Sequence, residues 1–190
     1  EAAVSEAVDP CALAAAPMDA IWTQSRRLSF VAQVVPALAT RAPALVDGWA
    51  ESWSSAATSS CEDVHVRHLR SEDSLDRRGL CLDRSLGSLE AFMLAVDEGS
   101  VTTAQGLIEW FGVLSDPQAC LSETVLRDDS EAPPAEHAEE IATLRRQLIL
   151  VGISGPRDYN ERIQVAKRVL ERAEELGHQP LLAEASLALG

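Results

Sequence analysis

The feature that most constrains the fold lies in the last thirty-odd residues, where apolar positions recur at helical spacing between a clear stop and a clear start. Ile163, Ala166, Leu170, Ala173 and Leu176 fall three or four residues apart and so share one helix face. Gly177 stops that helix, and Pro180 opens another that carries Leu182, Ala185 and Leu189. A single helical pair of this kind cannot bury its own apolar face. The tail therefore reads as part of a stacking array that continues past Gly190, with the face of its final helix available to a neighbouring molecule.

Composition extends the helical reading to the whole chain. Ala, Leu, Glu and Arg dominate, aromatic residues make up only 4%, and runs of strand-forming Val, Ile, Thr and Tyr are missing. An all-α protein is expected, an antiparallel helical bundle followed by the start of a helical array. With 190 residues and 46% apolar side chains there is material for one core or two small ones. The net charge of -14 and pI near 4.6 set the surface against nucleic acid and anionic lipid, leaving proteins or peptides as partners. No stretch approaches the ~18 apolar residues of a bilayer span, and no basic-then-apolar leader follows Glu1, so the chain reads as beginning in mid-protein.

Along the chain, residues 1–10 are acidic, Ala-rich and unpatterned, and are expected to be loosely held. A short helix is expected from Cys11 to about Trp22, and a second from Ser25 towards Leu38 with Leu28, Val31, Val34 and Val35 inward and Pro36 ending it early. Pro43 suits the first turn of a long helix to about His68, with Leu45, Trp49, Trp53, Ala56, Ser60 and Val64 on its apolar face. Ser71 offers a cap for the next helix, whose Leu75, Leu82, Leu86, Leu89, Met93 and Val96 keep a 3–4 spacing, with Gly79 in one weak slot. A helix from Val101 to Leu114 carries Leu107, Trp110 and Phe111, and Asp116-Pro117 begins a turn that contains Cys120. These elements form a bundle over residues 11–128. Residues 129–136 have the polar, acidic, proline-bearing profile of a linker. Residues 137–190 hold the array, opening with a helix from about Ala135 to Val151 that shows Ile141, Leu144, Leu148 and Val151.

Four cysteines stand at positions 11, 61, 81 and 120, without the CxxC spacing of ordinary zinc or redox sites. Cys61 and Cys81 lie equally far from Ser71, the centre of the turn between the two longest helices, so in an antiparallel hairpin they come level and could form a disulfide. Cys11 and Cys120 bracket the bundle and could close it. The alternative is four buried free thiols acting as small apolar residues. Cys61, His65 and His68 share one helical face at zinc-ligand spacing, which gives a third functional reading, a metal-binding domain, although three ligands on one helix is an unusual geometry. His137 and His178 stand alone and read as solvated. Glu139-Glu140 and Glu174-Glu175 read as solvated flanks rather than an acid and base pair. None of the GxGxxG, GxxxxGK[ST], GxSxG and HExxH motifs is present, so no catalytic residue and no cofactor is expected.

Two resemblances add to this reading. Tyr159, Ala166, Gly177, Pro180 and Leu189-Gly190 follow the order of the tetratricopeptide repeat, whose period is ~34 residues. The run Trp53…Cys61-Glu-Asp-Val-His-Val-Arg67…Cys81-Leu-Asp-Arg84-Ser-Leu-Gly-Ser-Leu-Glu-Ala91, followed by Pro117-Gln-Ala-Cys120, resembles the region after the catalytic domain in myxobacterial-type serine/threonine protein kinases that carry such repeats. The likeness covers about residues 10–190. Ser85 stands where that family has a second arginine, and Arg162 and Val169 occupy slots that small residues usually fill, implying looser packing of the repeat. The resemblance implies a kinase parent with a membrane crossing before Glu1. It also implies an extracytoplasmic regulatory region that senses or scaffolds, and that setting supports the Cys11–Cys120 pairing; a cytoplasmic location is the alternative. A spacer or dimerisation module without a ligand is the other reading of such a region. The kinase signatures themselves, the Gly-rich loop, the Val-Ala-Ile-Lys strand, His-Arg-Asp and Asp-Phe-Gly, are not in this chain.

Overall fold

The computed structural model describes residues 9–99, 101, 104–128, 132–153 and 159–189, and among these every regular element is helical. Asp9 Oδ1 accepts the Cys11 amide at 2.9 Å, and residues 10–15 form turns rather than the start of a helix. Helix α1 (Ala16–Ile21) begins only where Pro17 supplies a first-turn φ. Thr23 caps α2 (Gln24–Gln33) by accepting the Arg26 amide, and Pro36 then opens a 3-10 turn, Pro36–Leu38. The inward face of α2 differs from the expected one. Phe30 is 1% exposed and Val34 is buried, whereas Leu28 is 59% exposed and Val31 and Val35 are half-buried. The Phe30 ring meets Trp22 and Phe92, and the rotation that seats it turns Leu28 to solvent.

Helices α3 (Arg41–His65) and α4 (Glu72–Asp97) form the long antiparallel hairpin. Ser71 caps α4 as its sequence suggests, its Oγ accepting the Ser74 amide, with Glu72 and Asp73 placed favourably in the first turn. The buried stripe of α3 is Val46, Ala50, Trp53, Ala57, Ser60 and Val64, so Leu45 and Trp49 sit one position off it. Leu45 is exposed, and half-buried Trp49 instead donates its indole N–H to the Ser115 carbonyl at 3.1 Å. In α4, Leu82, Leu86, Leu89, Met93 and Val96 are buried as their spacing predicts, but Leu75 and Gly79 are only half-buried. Two polar contacts fix the hairpin register: Trp53 Nε1 donates to the Leu82 carbonyl at 2.9 Å, and Arg78 pairs with Asp63 at 2.8 Å.

Helix α5 (Ala104–Val113) places Trp110 flat on Phe92, with ring centroids 3.4 Å apart. A 3-10 turn, Pro117–Leu121, follows; Asp116 starts it by accepting the Gln118 amide at 3.0 Å. Arg127 and Asp128 complete α6 (Glu123–Asp128). Residues 129–131 lie outside the described ones, and a 3-10 turn at Ala135–His137 runs directly into α7 (Ala138–Ile153).

Helices α8 (Tyr159–Leu176) and α9 (Gln179–Leu189) pack with α7 around a second, smaller core of Ile141, Val165, Val169, Ala173, Leu181 and Ala185. Gly177, at φ +64°, makes the left-handed turn between α8 and α9. His178 is corrected from solvated to 1% exposed. Its Nδ1 accepts the Leu181 amide at 3.2 Å, so this imidazole caps the N-terminus of α9. Helix α7 also packs along α4, and Leu150 reaches the first core, so the two cores share one wall.

Arg78 is buried with only 3% of its side chain exposed, and Asp63 is its counter-charge. The Arg78 hydrogen bond, aided by the nearby charges of Arg67 and Arg70, holds the Asp63 carboxyl below the usual range. Its contribution is complete above the unfolded Asp value of about 3.9 and is lost as pH falls through the lower folded value. Asp63→Asn is expected to cost about 3 kcal/mol at neutral pH by leaving a buried guanidinium without its partner. Urea unfolding as a function of pH should show this difference narrowing below about pH 4; a constant difference would refute the assignment.

Candidate functional site

The framework of the site is covalent. Cys11 bonds Cys61 and Cys81 bonds Cys120, with Cα atoms 5.7 and 5.6 Å apart. All four cysteines are therefore oxidised, but the expected pairs, Cys61–Cys81 and Cys11–Cys120, are not the ones formed. Equal distance from Ser71 sets the height of a residue along the hairpin and says nothing of its direction around the helix. The helices meet along the Trp53–Leu82 and Asp63–Arg78 contacts, and Cys61 and Cys81 lie on flanks beside that seam. Cys61 faces the segment entering α1, where Cys11 lies, and Cys81 faces the 3-10 turn that carries Cys120. Each bridge thus ties a peripheral segment to the hairpin. With 50 and 39 residues of separation, each restricts the unfolded chain by about 4 kcal/mol in the chain-entropy account.

This pairing also settles the Cys61, His65 and His68 set. The Cys61 sulfur is bonded to Cys11, the His68 Nδ1 lies 3.0 Å from the Val64 carbonyl, and His65 lies 3.7 Å from Glu72. Among the described residues no group of three His, Cys, Asp or Glu side chains is placed to hold a metal. No described helix is long and apolar enough to cross a membrane.

The repeat-signature residues fall at helix ends and crossings. Ala166 is fully buried, Gly177 makes the turn, Pro180 sits in the first turn of α9 and Leu189 ends it. Val169, in a slot expected to loosen the packing, is fully buried in the second core. Tyr159 is the first residue of α8; its side chain, that of Val151, and Gly190 lie outside the described residues.

The concave feature of interest is a groove of about 550 Å³ between α4, α7 and the side of α9. From α4 it takes Leu80, Asp83, Arg84 and Gly87, from α7 Ile141, Arg145 and Ile149, and from α9 Glu184. These residues stand at three-, four- and seven-residue spacing on α4, which brings them onto one flank of that helix. Arg145, with 13% of its side chain exposed, donates Nε to both Glu184 oxygens at 3.0 Å, while its buried Nη2 meets no acceptor. Burial, and then the like charge of Arg145, push the Arg84 guanidinium down to about 10, with Glu184 opposing the shift. Asp83 is exposed at the rim, yet the surrounding protein still raises its carboxyl above the ordinary value. The sequence gives little signal for this groove, because Asp83, Arg84 and Gly87 read as an ordinary solvated flank beside the Leu82–Leu89 core stripe.

Comparison with models of known families, with curated proteins and with solved structures finds no match to this chain.

Non-reducing proteolysis with mass spectrometry should return Cys11–Cys61 and Cys81–Cys120 linked peptides, separable because Arg67, Arg70, Arg77 and Arg78 lie between Cys61 and Cys81. A Cys61–Cys81 peptide would contradict the framework. Reduction should lower stability by several kcal/mol, each bridge contributing about 4 kcal/mol.

Proposed function

We infer that this chain is a non-catalytic, extracytoplasmic sensing or scaffolding region of a larger bacterial membrane-anchored serine/threonine kinase, presenting a helical surface to a protein, peptide or small ligand. The observation that carries the reading is the pair of disulfides that cross-link the bundle. Such bonds form and persist in oxidising compartments, and are rare where glutathione and thioredoxin keep thiols reduced. The order of motifs shared with post-kinase regions supports the kinase parent, and the tetratricopeptide-like order of α7, α8 and α9 supports an array extending from the bundle. A surface of net charge -14 favours a neutral or basic macromolecular partner over nucleic acid.

A second reading, a spacer or dimerisation unit, is favoured by Leu187, which is 83% exposed on α9. Sedimentation equilibrium separates the two: a tight dimer abolished by Leu187→Glu supports dimerisation, and a monomer at micromolar concentration removes it.

The kinase reading is tested on the whole reading frame. A kinase domain and a hydrophobic span upstream of Glu1 are expected. A fusion of alkaline phosphatase after Gly190 should be active, since that enzyme needs disulfides. A frame without a kinase, or an inactive fusion with a fluorescent cytoplasmic reporter in its place, would overturn the reading.

A further inference from the structure

The charged side chains that line the groove between α4, α7 and α9 balance, Arg84, Arg145 and Arg146 against Asp83, Glu90 and Glu184, yet one buried donor among them is left unpaired. Arg84 and Arg145 lie close enough to repel, and Glu184, the carboxylate between them, is engaged by Arg145 through Nε alone. The buried Nη2 of Arg145 is left without an acceptor. A buried donor on a charged group is costly unless something accepts from it. Beside this charge runs an aliphatic wall of Leu80, Ile141 and Ile149, and a side chain added at Gly87 would meet nothing within 4 Å. The volume, about 550 Å³, lies in the range of small-ligand sites.

We propose that this groove binds a medium-chain monocarboxylate, its carboxylate head accepting from Arg145 Nη2 and Arg84 and its alkyl body lying along Leu80, Ile141 and Ile149. The proposal deepens the sensing reading and rests on it, since the bound acid is then the signal. Paired guanidiniums favour a planar carboxylate in a way that one lysine would not. Asp83 at the rim repels a second anionic end, so the groove selects mono- over dicarboxylates. The alkyl body lies between the bundle and the array helices, and its occupancy favours arrangements in which α4 and α7 stay together.

Titration calorimetry on the full chain with octanoate, below its micellar range, tests this directly. Octanoate is expected to bind at one site, with octylamine and the dicarboxylate suberate at least tenfold weaker. Arg145→Gln should weaken octanoate at least tenfold, and Gly87→Phe, which fills the trough on an otherwise intact helix, should do the same. Equal binding of octylamine to the unaltered chain, or octanoate binding unchanged in Gly87→Phe, overturns the proposal without depending on how Arg145→Gln folds. No octanoate binding, with the kinase parent and topology established, removes this ligand and leaves the sensing reading. Octanoate binding to a chain whose reading frame lacks a kinase does the reverse.

Discussion

The aromatic contacts of the larger core centre on the ring of Phe92. Aromatic residues are scarce, yet all three phenylalanines join one chain of contacts, Trp22 to Phe30 to Phe92 to Trp110 to Phe111. That chain links the end of α1 to α2, α4 and α5. Each of the short helices α1, α2 and α5 is too brief to be stable alone, and the end of α1 and α2 each contribute one large ring, and α5 two, to a shared centre. Phe92 sits in the last quarter of α4, beyond the part of that helix that the Trp53–Leu82 and Asp63–Arg78 contacts already fix against α3. Loss of its ring would therefore release three helices at once, which is why the exposed aliphatic residues of α2 could be given up to seat Phe30.

The disulfides follow from the same division between a rigid hairpin and lighter peripheral pieces. Helices α3 and α4 already hold each other through the Trp53–Leu82 hydrogen bond, the Arg78–Asp63 pair and a stripe of small residues on α3. A bridge between them would constrain what packing has already constrained. The segment before α1 and the turn at Pro117–Leu121 have few buried side chains of their own, and these are what Cys61 and Cys81 tie down. Stapled in this way, α4 presents a fixed flank to α7, and the groove lies on that flank.

The sequence was most legible where periodicity and punctuation agree. Ser71, Gly177 and Pro180 mark their boundaries because caps and left-handed turns depend on local chemistry, and Leu82 through Val96 bury because their spacing is regular. Face assignment failed where two apolar stripes run one or two residues apart, as with Leu45 and Val46 or Leu28 and Phe30, since tertiary partners alone choose between them. His178 was misread for a related reason: its role as an α9 cap arises from folding Gly177 into the turn, which brings the imbalance of donors at that helix start onto it. The cysteine pairing needed the rotation of each helix, a quantity the distance from Ser71 does not contain. Arg84, Arg145 and Glu184 come from three helices far apart in the chain, so no local pattern could announce the groove.

The electrostatics of the molecule run in opposite directions at two scales. Globally, a charge of -14 disfavours compaction and repels polyanions. Locally, the few cations are used to join elements: Arg27 to Asp47 joins α2 to α3, Arg70 to Glu123 joins the hairpin loop to α6, Arg145 to Glu184 joins α7 to α9, and Arg172 to Glu140 joins α8 to α7. Most of these pairs are open to solvent and add modestly to stability; their effect is to bring neighbouring helices into contact at defined points. The surface field is screened over about 10 Å at moderate salt, whereas the guanidiniums of the groove act at contact distance in a partly dry site. Against that net negative charge, the proposed binding groove still presents two guanidiniums that attract a single carboxylate. The Arg145–Glu184 pair creates this attraction, because joining α7 to α9 engages Nε of the guanidinium and leaves its buried Nη2 without an acceptor.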